Sequence, residues 1–218
     1  MSEPGTSVVI ADDHRMFVDG LRSVLQSTGG FEVVGQALSG HEALTMCREL
    51  QPDLLMLDVS MPGLNGIETM RRMSTECPRV RVVMVSMHAD RRFVIEALKA
   101  GARGYILKDT EITGLVDSLR RIMTGEICLG PQITDVVVRE VINPDTAASS
   151  AFSILSSRER EVLQLLAEGK STKEAADQLN LSPKTIESHR KQLMTKLNLH
   201  SIAELTKYAI REGLTQLD

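Results

Sequence analysis

Two hydrophobic patterns divide the chain. From the start to about residue 107, short apolar runs alternate with longer amphipathic stretches. The runs are Val8-Val9-Ile10-Ala11, Glu32-Val33-Val34-Gly35, Leu54-Leu55-Met56-Leu57, Val82-Val83-Met84-Val85 and Gly104-Tyr105-Ile106-Leu107. Leu54-Leu55-Met56-Leu57 in particular reads as a strand buried on both faces, as inside a parallel sheet. Between and after them, 3.6-residue periodicity predicts helices over about 14–27, 40–50, 65–75, 90–100 and 111–124. Ser39 with Glu42 fits a capping box, and Gly101 follows Lys99-Ala100 as a helix stop. Alternating strands and helices predict an α/β domain, a five-stranded doubly wound parallel sheet.

Pro131 opens a weaker apolar pattern (Ile133, Val136, Val137, Val141) that predicts one more short helix. Asn143 to Ser150 has Pro, small polar residues and no long hydrophobics, the composition of an interdomain linker. Beyond it only helix signals remain. Ser156/Glu159, Ser171/Glu174 and Ser201/Glu204 each match S-x-x-E, and Ser182-Pro183 pairs an N-cap with proline at the first helical position. Four short helices so closely spaced form a second, smaller all-α domain. The expected division is 6–127, a linker with a short helix over 128–151, and 152–218.

Composition narrows the chemistry. Hydrophobic residues make up 42% of the 218, enough for sizeable cores, while aromatics are only 3% and Trp is absent, which disfavours an aromatic-walled pocket. Cys47, Cys77 and Cys128 are odd in number and far apart, which excludes a simple disulfide framework or zinc site and points to small core residues in a reducing compartment. No run approaches the ~18 apolar residues of a membrane span, and Met1-Ser2-Glu3-Pro4-Gly5 lacks a basic region before an apolar one, so a cytoplasmic protein is expected. Residues 1–142 carry 15 Lys/Arg against 19 Asp/Glu, and residues 143–218 carry 10 against 10. Neither half is broadly basic, so any nucleic-acid site must be a local patch.

Polar residues at the strand ends change the picture most. The first strand ends in Asp12-Asp13, the third in Asp58, the fourth in Ser86 and the fifth in Lys108. In a sheet ordered 2-1-3-4-5, the first and third strands flank the topological switch point, so three carboxylates converge there. Such a cluster repels itself unless a cation sits within it, and its oxygen ligands suit Mg²⁺. Lys108 and Ser86 are placed to grip a phosphoryl oxygen, and an Asp carboxylate can become an aspartyl phosphate.

Over about residues 6–124 the sequence resembles the receiver domains of two-component response regulators. Asp12-Asp13, Asp58 in L-D-V-S-M-P-G-L-N-G, Ser86, and Lys108 in G-A-R-G-Y-I-L-K carry the resemblance. It implies that Asp58 is the phosphoacceptor, that Asp13, Asp58 and the Ser60 carbonyl ligate Mg²⁺, and that Asp12 acts through water. It also implies Ser86 and Tyr105 as a switch pair, with Ser60 and His88 flanking the phosphoryl group.

In the helix starting at Ser182, Ile186, His189, Leu193 and Leu197 fall on one face, read as core; Lys184, Glu187, Ser188, Lys191 and Thr195 fall on the other. The preceding helix (about 172–179) and the turn Asn180-Leu181-Ser182-Pro183 make a helix-turn-helix, whose second helix enters the major groove. Lys184, Arg190, Lys191 and Lys196 against Glu187 give it local positive charge. Ser156-Ser157-Arg158-Glu159-Arg160-Glu161-Val162-Leu163, Glu168-Gly169, Glu174-Ala175-Ala176, Leu181 to His189 and Lys196-Leu197 resemble the LuxR-type DNA-binding domain over about 152–214. The candidate DNA contacts are Lys184, Thr185, Glu187, Ser188, Arg190, Lys191 and Lys196. Together the two resemblances imply a response regulator of the NarL/FixJ subfamily: a histidine kinase as donor, promoter DNA as target, a homodimer on phosphorylation or DNA binding, and no enzyme beyond its own phosphorylation and dephosphorylation. An aspartyl-nucleophile phosphatase is the competing class, but it wants a carboxylate where Ser60 stands. A ligand-sensing LuxR regulator is the other, and it wants an aromatic-rich sensor.

Overall fold

A computed structural model describes residues 5–142 and 151–215. The expected linker at Asn143–Ser150 lies outside the described residues. The chain forms two compact units.

The first unit runs β1 (Thr6–Ala11), α1 (Arg15–Thr28), β2 (Phe31–Ala37), α2 (Gly40–Leu50), β3 (Leu54–Asp58), α3 (Gly66–Glu76), β4 (Arg81–Ser86), α4 (Arg91–Lys99), β5 (Gly104–Leu107), α5 (Ile112–Met123), β6 (Cys128–Leu129) and α6 (Pro131–Ile142). All strand pairs are parallel, in the order β2-β1-β3-β4-β5-β6. Every residue of β3 is buried, as its unbroken apolar run requires. On one face of the sheet, Val8, Ile10, Leu54, Met56, Val83, Val85 and Ile106 pack against Leu21 and Leu25 of α1 and Leu119 and Ile122 of α5.

The sheet has six strands, not five. Cys128-Leu129 is too short to show as an apolar run, yet Cys128 pairs with Gly104 and Leu129 with Tyr105. Gly104 permits that approach: a Cβ there would lie 2.8 Å from the Cys128 carbonyl oxygen and from Ile122 Cδ1. Residues 128–142, expected as the start of the linker, are thus built into this unit. Helix α6 packs on α4, with Ile133 fully buried and Arg91 paired to Glu140. At α2, Ser39 caps Glu42 as expected, but the Glu42 carboxylate accepts from the Leu38 amide and not from that of Ser39.

The second unit comprises a single-turn α7 (Ala151–Ile154), α8 (Ser157–Ala167), α9 (Thr172–Leu179), α10 (Pro183–Leu197) and α11 (Ile202–Arg211). All three S-x-x-E signals form complete capping boxes at the starts of α8, α9 and α11. Asn180 ends α9 in the left-handed conformation (φ 51°), which turns the chain into α10. Leu163, Ala176, Ile186, Leu193, Leu205 and Ala209 are fully buried, whereas His189 and Leu197 on the same face of α10 are only half-buried.

Candidate functional site

Parallel pairing of β1 with β3 sets Ala11 beside Leu57, so Asp12 and Asp58 leave the sheet side by side. Asp12, Asp58 and Ser86 are each 2–3% exposed. Asp12, Asp13, His14 and Asp58 each offer one ligand atom, and these lie within 4.8 Å of one another. Lys108 Nζ comes within 2.7 Å of Asp12 Oδ2 and 3.2 Å of Asp58 Oδ2. The Phe17 ring, 4.9 Å from that ammonium, supports it from α1. Burial first, then the Asp12 charge, pushes the Asp58 carboxyl up to about 7 despite the Lys108 contact. One ammonium therefore does not neutralise the cluster. The donor set, three carboxylates with little nitrogen, fits a hard divalent cation.

His14 and Phe17 escaped the sequence reading. The His14 amide donates to Asp12 Oδ1 (2.9 Å), and its Nδ1 lies 3.1 Å from that oxygen and 2.9 Å from Asp13 Oδ1. Its adjacency to Asp12-Asp13 was the available signal.

The loop after β3 is closed by backbone contact. The Gly66 amide donates to the Val59 carbonyl (2.8 Å), and a Cβ at Gly66 would lie 2.0 Å from the Asp58 carbonyl oxygen. No other residue fits there. Asn65 caps α3 by accepting from the Glu68 amide at 3.0 Å. Ser60 is half-buried in this loop. On the other side of Asp58, Ser86 Oγ accepts from the His88 amide at 3.1 Å, and Tyr105 Oη donates to the His88 carbonyl at 2.9 Å. Tyr105 is fully buried, and burial raises its phenol above the ordinary range. Ser86 and Tyr105 thus hold the two peptide units that flank His88, while the His88 side chain is exposed.

In the second unit, Ser182 Oγ accepts from the Thr185 amide at 3.1 Å and lies 2.8 Å from the Thr185 hydroxyl, which anchors the start of α10. Lys184, Ser188 and Lys191 are exposed and Thr185 is half-buried. Glu187 has internal partners: the Thr172 hydroxyl donates to it at 2.8 Å, and Arg190 lies 3.1 Å away. It therefore orients Arg190. Lys196, one of the candidate DNA contacts, sits 2.7 Å from the buried Glu159 carboxylate and braces α10 against α8. Burial opposes ionisation of Glu159, but Lys196 and Ser156 hold its carboxyl below the ordinary range.

Comparison with known proteins matches each of the two units to a family. Residues 8–120 match the response regulator receiver domain, and residues 153–209 match the bacterial regulatory proteins of the luxR family. The chain is 34% identical to response regulator UvrY of Escherichia coli K12, covering 95% of each chain. It is 37% identical to oxygen regulatory protein NreC of Staphylococcus epidermidis, covering 96% of this chain and 99% of that one. Among solved structures, the Salmonella typhimurium RcsB response regulator matches with a TM-score of 0.65 at 26% identity, over 94% of this chain and 97% of that one. An RcsB–DNA complex matches with a TM-score of 0.60 at 27% identity, over 94% and 98%. The chain is a regulator in which a receiver sheet precedes a LuxR-type helix-turn-helix domain, and it belongs to the response regulators of the NarL/FixJ type.

Proposed function

We propose that Asp58 accepts a phosphoryl group from a histidine kinase and that this controls promoter binding through α10. The observation that carries the reading is Asp58 itself: buried at a strand end, flanked by Asp12 and reached by Lys108. An Asp58 oxygen forms the new P–O bond as the donor's P–N bond breaks and the imidazole leaves. Bound Mg²⁺ would neutralise charge developing on the phosphoryl oxygens; Asp13, Asp58 and the Ser60 carbonyl would hold it, with Asp12 acting through water. Lys108 turns from Asp12 to a phosphoryl oxygen. Ser86 does the same by giving up the His88 amide, which loosens the His88 backbone that Tyr105 holds at its carbonyl and biases a two-state surface. Ser60 and His88 flank the phosphoryl group and set its lifetime.

Lys184, Thr185, Ser188 and Lys191 face base edges, and Arg190, oriented by Glu187, reaches a phosphate. RcsB has been solved bound to DNA, which supports the same role for this chain. Among the described residues no helix is long and apolar enough to cross a membrane. A cytoplasmic homodimer acting on promoter DNA, with no turnover beyond its own phosphorylation and dephosphorylation, follows from this reading.

Acetyl phosphate labelling is the direct test. The native chain takes up one phosphoryl group with Mg²⁺ and none with EDTA, and Asp58→Asn takes up none. Full labelling of Asp58→Asn would move the phosphoacceptor elsewhere.

A further inference from the structure

At the end of the sheet opposite Asp58 lies a cavity of about 390 Å³. Three arginines from separate segments line it: Arg79 from the α3–β4 loop, Arg81 at the start of β4 and Arg103 just before β5. No Asp or Glu lines it. This is unexpected in a unit with 15 Lys/Arg against 19 Asp/Glu. Among the described residues Arg79, Arg81 and Arg103 make no ion pair; Asp53 is the carboxylate within electrostatic range of Arg81. Met73, Val80 and Val82 also line it but are buried, so its open surface is more polar than apolar.

Three arginine side chains line one concavity, and Asp53 offsets the charge of Arg81 alone among them. Each guanidinium offers a planar fork of donors matched to phosphoryl oxygens. The volume falls in the usual range for small-molecule sites, roughly 300–1,000 Å³. We propose that this cavity binds a phosphorylated small molecule of mononucleotide size through its phosphoryl groups, held by Arg79, Arg81 and Arg103. The site stands at the far end of β4 from Ser86, so it does not depend on phosphorylation of Asp58.

ADP is the probe, titrated calorimetrically into the full chain in EDTA so that the acidic site takes no part. Saturable binding with one ADP per chain is expected, competed by pyrophosphate and not by adenosine. The double variant Arg79→Gln/Arg103→Gln should weaken it about tenfold or more, since two charge-assisted contacts are lost. Normal acetyl phosphate labelling of that variant with Mg²⁺ reports that it is folded. Absence of saturable ADP binding at millimolar concentration would overturn the proposal, as would equal competition by adenosine or undiminished affinity in the folded double variant.

Discussion

Asp58 carries an ordinary side chain in an expensive position. Its carboxyl is raised to about 7 from 3.8, so the folded protein favours the protonated form. A carboxyl with a raised folded-state pKa contributes stability below its unfolded value and loses it as pH rises through the folded one. Metal-free protein should therefore lose on the order of a few kcal/mol of stability between about pH 4 and pH 7 from this group. Thermal melts across that window, with and without Mg²⁺, check this: Mg²⁺ should remove the loss and Asp58→Asn should flatten it. On α10, Glu187 and Arg190 are both partly exposed, so their coupling should be small, about 0.2–1 kcal/mol. A double-mutant cycle on DNA affinity should return that value, with Glu187→Ala alone leaving the preferred sequence unchanged. Lys196→Ala should cost the second unit about 1–2 kcal/mol by stranding the Glu159 carboxylate, measurable by denaturant unfolding. A fall in salt slope without that loss would return Lys196 to the phosphate contacts.

At the scale of elements, legibility followed pattern length. Strands with an apolar run several residues long announced themselves, clearest at Leu54–Leu57, and the polar residues at the ends of β1, β3, β4 and β5 marked the acidic site before any geometry was known. Strand β6 did not, because two residues carry no periodicity; Gly104 was its hidden signal, since it alone leaves room for the Cys128 carbonyl. The Thr172 partner of Glu187 and the Glu159 partner of Lys196 were likewise invisible, being 15 and 37 residues distant in sequence. Capping boxes were legible because both halves lie within one turn. Substituting Gly104 should test the pairing: Gly104→Ala forces β6 away and should cost about 1–3 kcal/mol. Hydrogen exchange should rise at Cys128 and Leu129 in that variant. Arg91→Ala should release α6 and raise exchange over 131–142, without effect on β1 to β3.

For the whole molecule, the acidic site and the reading helix belong to separate units, so signal must pass by a change of state. If phosphorylation acts through dimerisation, ultracentrifugation with beryllofluoride and Mg²⁺ should show more dimer than the untreated chain. Unchanged mass alongside rising DNA affinity would point instead to uncovering of the helical unit.

The attachment of β6 and α6 to the sheet also decides where this regulator can be cut. A fragment ending at residue 127 loses the strand beside Tyr105 and the helix covering α4, and should melt lower than one ending at residue 142. Exchange of output modules between such regulators should work with the seam after Ile142 and fail with the seam at the end of α5. The unit of inheritance is then the receiver plus its sixth strand and helix.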